Sequence, residues 1–125
     1  MKYFCIKGVP RSGKNSTQIR FNPKTKEYFV MKSKAAASWQ TSAIAQLTEQ
    51  RTGKNRNTLR GPLFVEYRAY QKWDACDIDN IEAALFDALK KAKVIEDDSL
   101  IVDHRGRKFV DSDNPRIEIE ICEAA

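Results

Sequence analysis

The sequence predicts an α/β or α+β fold, with a mixed or antiparallel sheet and two main helices. Three observations predict it. Arg116-Ile117-Glu118-Ile119-Glu120-Ile121 alternates strictly, the period of a strand with one solvated face. Ile81, Ala84, Leu85, Ala88, Leu89 and Ala92 recur at helical spacing and form one apolar face. Ala36, Trp39, Ala43, Ile44 and Leu47 repeat that pattern earlier in the chain. At 125 residues the chain is expected to form one domain, 1–125, with a core large enough to fold alone.

The elements follow in order. Residues 2–8 carry Tyr3, Phe4 and Ile6, side chains that favour a pleated, partly buried surface. Gly8-Val9-Pro10-Arg11-Ser12-Gly13-Lys14-Asn15 nearly matches a phosphate-binding loop. Asn15 stands where that motif needs a hydroxyl, and strand-like alternation follows where it needs a helix. A basic loop presenting Arg11 and Lys14 is the better account. Asn22-Pro23-Lys24-Thr25-Lys26 has turn chemistry, which places a hairpin at about 17–31. Ser33 can cap a helix running to about Arg51, with Trp39 in its core stripe. Residues 51–62 form a basic connector, which is either a DNA-contacting loop or a solvated one. Residues 63–71 read as a strand through Phe64, Val65, Tyr67 and Tyr70. Asp79 or Asn80 opens the second helix, and Lys90, Lys91 and Lys93 suit its C-terminal dipole. Ser99–Asp103 is expected to be a strand, followed by a basic loop, 104–108, with His104 solvated in it.

Composition excludes several classes. With 42% hydrophobic and 31% charged residues this is an ordinary globular chain. No apolar run approaches the roughly 20 residues needed to span a bilayer, and the N-terminus lacks signal-peptide features. A cytoplasmic protein without a membrane partner is expected. Cys5, Cys76 and Cys122 are odd in number and lack metal-ligand spacing, as free thiols of a reducing compartment do. A hydrolase triad would have to be built on the one histidine, His104, and finds no other support.

Charge is segregated within the net of +5. Residues 1–72 hold 15 Lys or Arg against 3 Asp or Glu, and residues 73–125 hold 7 against 14. A basic half attracts phosphate backbones. Candidate DNA contacts are Arg11, Lys14, Arg20, Lys54, Arg56 and Arg60. In the acidic half, Asp77 and Asp79 lie two residues apart, and i and i+2 share a side in an extended segment. Glu96-Asp97-Asp98 follows the helix and is expected to return to the same point. Converging carboxylates repel unless a cation lies between them, and hard oxygen ligands suit Mg²⁺ or Mn²⁺.

Asp77-Ile78-Asp79-Asn80, the helix segment Ala84-Leu85-Phe86-Asp87-Ala88-Leu89, and Glu96-Asp97-Asp98-Ser99 together resemble the RusA family of Holliday junction resolvases. The resemblance spans about residues 73–103. It implies a RusA-like nuclease domain and a homodimer that cuts four-way DNA junctions with a divalent metal. It places catalytic, metal-binding carboxylates on Asp77, Asp79 and Asp98, with Asn80 beside them at the DNA. One position departs from the family pattern. A Lys is usual four residues after the second Asp, and here Ala83 stands there. Lys72, Lys14 or a partner residue could supply the charge instead. The departure leaves two alternatives open: a weak or inactive branched-DNA-binding protein, and a metal nuclease acting on another DNA structure.

Overall fold

The computed structural model describes residues 1–10, 17–32, 34–72 and 76–124; for 17–20 and 29–32 it describes the backbone alone. Strand β1 is Lys2–Lys7, β2 Thr17–Asn22 and β3 Glu27–Lys32. Helix α1 is Lys34–Gln50, β4 Leu63–Gln71, α2 Ile78–Lys91, β5 Ile101–Val110 and β6 Arg116–Glu123. Short 3₁₀ turns occupy Gly53–Asn55 and Asp98–Leu100. The main sheet has the order β1-β6-β4-β5, and β2 and β3 form a separate antiparallel hairpin. Among the described strands of the main sheet, β4 and β5 run parallel, because α2 returns the chain between them, and the other neighbouring pairs are antiparallel. The fold is therefore α+β with a mixed sheet.

One face of the sheet carries the core. Leu63, Val65, Tyr67 and Ala69 alternate inward along β4, and Ile117, Ile119 and Ile121 do so along β6. Against them α2 packs Ile81, Leu85, Ala88 and Leu89, all without solvent exposure. Helix α1 adds Ala36, Trp39, Ala43 and Leu47. Burying each large aliphatic side chain stabilises the fold by about 1.5–3 kcal/mol. The expected apolar stripes are thus the packed ones, and Trp39 is a core residue.

The two sheet edges are treated differently. On β1, Cys5 N–H donates to Gln50 Oε1 at 2.8 Å and Lys7 N–H to Gln46 Oε1 at 2.7 Å. The same two amides donate back to the Cys5 and Lys7 carbonyls at 2.7 and 3.0 Å. Helix α1 thereby satisfies the outer backbone groups of β1, which blunts that edge. The opposite edge is β5, largely exposed along its length.

Strand β5 corrects an expectation. Residues 104–108 are strand, not loop. The parallel ladder with β4 pairs Phe64 with Asp103 and continues to Gln71 with Val110. A charged composition reads as loop, yet it is what an exposed edge strand carries. No helix among the described residues is long and apolar enough to cross a membrane.

Candidate active site

Asp77 is the N-cap of α2, with extended backbone angles of −66° and 152°, and its side chain makes no capping hydrogen bond. An Asp at this position usually accepts one from the first turn. Its exposed carboxylate is therefore not spent on the helix end. Asp79 lies within the first turn, also exposed. This corrects the expectation that both belong to one extended segment, because the helix begins at Ile78. The two carboxylates share the helix start, where the dipole favours negative charge. Gln71 at the end of β4 donates to the Cys76 carbonyl at 3.4 Å and so ties the strand to this start.

Asp98 lies elsewhere. It opens the 3₁₀ turn beyond the C-terminal end of α2. A 14-residue helix is roughly 21 Å long. The strands agree: β4 runs from Leu63 towards the Asp77 end, and β5 begins at Ile101 beside Leu63. Asp77 and Asp79 are thus at one end of the β4–α2–β5 unit and Asp98 at the other. Among the described residues no three His, Cys, Asp or Glu side chains gather into a group able to hold a metal. The acidic cluster after the helix does not return to its start, because a parallel crossover puts it at the opposite end of the sheet.

Next to Asp79 is a pocket of about 250 Å³ lined by Tyr67, Ile78, Asp79, Glu82, His104 and Gly106. Glu82 is three residues beyond Asp79, so the two share one face of α2. Its Oε1 accepts from the Tyr67 hydroxyl at 3.0 Å and lies 2.5 Å from His104 Nδ1. Burial, and then the bond to Glu82, push the Tyr67 hydroxyl well above its ordinary pKa, so it stays a donor. The Phe86 and His104 rings pack edge to face, with centroids 5.9 Å apart. The sequence alone does not reveal Glu82 and Tyr67 as site residues, and it reads His104 as a solvated loop residue. Parallel pairing with β4 supplies the register that places His104 opposite α2. Ala83 is exposed on α2, one turn from Asp79.

The basic candidates divide three ways. Arg11 and Lys14 lie outside the described residues, as do Ser33 and Trp73; the Arg20 side chain is likewise not described. Lys54, Arg56 and Arg60 are exposed, with Arg60 3.9 Å from Glu96. All three belong to the connector that pairs with the segment after α2, through the Leu59–Ile95 bridge. Asn80 is only 7% exposed, which suits anchoring the helix start rather than meeting DNA. Arg51 in that connector is structural: it donates to the Ala92 carbonyl at 3.3 Å, the Arg56 carbonyl at 2.9 Å and Thr58 Oγ1 at 3.2 Å. Among the described residues, Lys90 pairs with Asp97 at 2.9 Å.

No curated protein matches the chain significantly. Residues 10–122 match the family described as endodeoxyribonuclease RusA, a stretch that contains every described element of the site. Nucleases of this family act on branched DNA junctions and are in general metal-dependent. With nearly its whole length matched, this chain belongs to the RusA endodeoxyribonuclease family.

Proposed function

We propose that this protein is a metal-dependent endonuclease that resolves four-way DNA junctions by hydrolysing a phosphodiester in each of two strands. The observation that carries the reading is the start of α2. There the Asp77 carboxylate is free of the cap, and Asp79 opens onto a pocket. Mg²⁺ is commonly held by only one or two carboxylates, with waters and substrate phosphates filling its other positions. Asp77 and Asp79 fit that mode, and Mn²⁺ can take the same oxygen ligands. A bound divalent ion would polarise the scissile phosphate and lower the pKa of a coordinated water. The chain's own contribution is to fix these carboxylates on a rigid helix start, and to draw the DNA backbone in with Lys54, Arg56 and Arg60. Arg11, Lys14 and Arg20 belong to the same proposal.

Two symmetric cuts require two sites, which a twofold homodimer supplies. Such a dimer also gives Asp98 a role. Its separation from Asp77 and Asp79 within one chain means that it can join them only from a second copy. A cytoplasmic location is supported by the DNA substrate and by three cysteines that remain free thiols.

A second reading, a protein that binds branched DNA without cutting it, draws on the exposed, uncharged Ala83. A synthetic four-way junction incubated with and without Mg²⁺ decides between them. The nuclease reading expects paired nicks only with metal, and none from Asp79→Asn. Tight junction binding without cutting in either metal would favour the second reading. Cutting of flaps or forks in preference to four-way junctions would reassign the substrate.

A further inference from the structure

We infer that His104, held by Glu82, is a catalytic residue of this protein, donating a proton to the sugar oxygen that leaves phosphorus. The inference rests on the nuclease reading above and goes beyond its carboxylates. His104 Nδ1 is committed to Glu82 at 2.5 Å, which fixes the ring and leaves Nε2 as its available nitrogen. Glu82 is itself held by the Tyr67 hydroxyl at 3.0 Å, and Phe86 braces the ring from α2. The imidazole side chain is 49% exposed and borders the same pocket as Asp79. An oriented carboxylate, an imidazole held through one nitrogen, and a second nitrogen open to a pocket are the parts from which proton-transfer groups are built. The ionisable or polar groups that line the pocket with His104 from α2 and β4 are Asp79, Glu82 and Tyr67, two carboxylates and one hydroxyl.

Ala83 leaves that turn of α2 without a side-chain proton donor, and Glu82, one residue earlier, holds the His104 ring of β5 beside it. Water adds to phosphorus and the bond from phosphorus to the bridging sugar oxygen breaks. That oxygen takes the Nε2 proton together with the bonding electron pair. His104 is left neutral, with Nδ1–H still donated to Glu82. The proton shed by the attacking water passes to solvent, and solvent reprotonates His104. One water is consumed, and a phosphate monoester and a free hydroxyl are formed.

The test compares wild type and His104→Ala on two four-way junctions. One is ordinary, and the other carries sulfur in place of the departing bridging oxygen. Sulfur leaves without a proton. On the ordinary junction the variant is expected to be slower by about 10²-fold or more, within the 10²–10⁴ typical of proton-transfer groups. On the sulfur junction the two proteins should cut within a few-fold of each other. Equal slowing on both substrates would overturn the inference, since a merely structural role predicts that result. Glu82→Gln retains a side-chain hydrogen bond without the charge; it should show the same substrate dependence, more weakly, and guards against a folding defect in the first variant.

A readout independent of turnover is available because His104 is the only histidine. The imidazole nitrogen spectrum of untagged protein should show a protonated, hydrogen-bonded Nδ1 that changes in Glu82→Gln. An unchanged spectrum would remove the orienting pair, and the inference with it. The nuclease reading fails separately, if Asp79→Asn cuts as fast as wild type or wild type cuts neither junction.

Discussion

Tyr67 and Gly106 are partners in the parallel register of β4 and β5, and a Cβ on Gly106 would lie 2.2 Å from Tyr67 Cζ. The tyrosine ring crosses the strand in the space a side chain would fill. From there its hydroxyl donates to Glu82 on α2. Gly106→Ala should therefore expel the ring. Overpacking of this kind costs about 1–3 kcal/mol, which urea denaturation would measure. A variant as stable as wild type would show that the ring has another place to go.

Ala83→Lys should speed cutting. The position is exposed and one turn from Asp79, so the new ammonium can reach the scissile phosphate. A single charge-stabilising donor is commonly worth about 10²–10³ in rate. The helix should lose only about 0.5 kcal/mol or less. Single-turnover cleavage at equal metal checks this, and no gain would mean that the site already has its cation.

Asp77→Asn and Asp79→Asn should each abolish cutting while junction binding holds or tightens, because a carboxylate facing phosphate is removed. Mixing inactive Asp79→Asn with inactive Asp98→Asn tests the shared site. If Asp98 acts across the dimer, each mixed dimer regains one intact site and nicks one strand. If all three acids served one chain's site, the mixture would stay inactive.

DNA binding should fall steeply with salt. Each phosphate contact contributes a slope of about 0.9 in log affinity against log salt. Replacing Lys54, Arg56 or Arg60 by Ala should weaken binding for all junction sequences alike and flatten that slope, as a filter-binding titration would show. The salt slope of any variant that stays at the wild-type value assigns its side chain to solvent.

Hydrogen bonds from Ser99, and then from Lys90, hold the Asp97 carboxyl down from 3.8 to about 2. Its contribution to stability is full above the unfolded value of 3.8 and is lost as pH falls towards 2. Melting curves between pH 5 and pH 2 should be less acid-sensitive for Asp97→Asn than for wild type.

Much of this was legible in the sequence. The stripe Ile81, Leu85, Ala88, Leu89 and the alternation through Ile117, Ile119 and Ile121 name the core directly, since burial on one face imposes their period. The Asp77–Asn80 motif pointed to the family. The geometry of the acids was not legible, because the handedness and direction of a crossover decide where Asp98 ends, and nothing local encodes that. His104 was missed for a related reason. Its partners, Glu82 and Tyr67, are distant in sequence and meet it only through strand register.

Arg51 gives the connector its mechanical meaning. Its guanidinium joins the last turn of α2 to the backbone at Arg56 and to Thr58, while Thr58 holds the Lys93 carbonyl at 2.7 Å. The exposed basic side chains of 54–60 are therefore bolted to the same rod that carries Asp77 and Asp79 at its other end. On the proposed reading, a DNA arm that tugs on Arg56 would pull on that rod as a lever. How the junction is gripped and where the scissile bond sits would then be a single adjustment, transmitted along one helix.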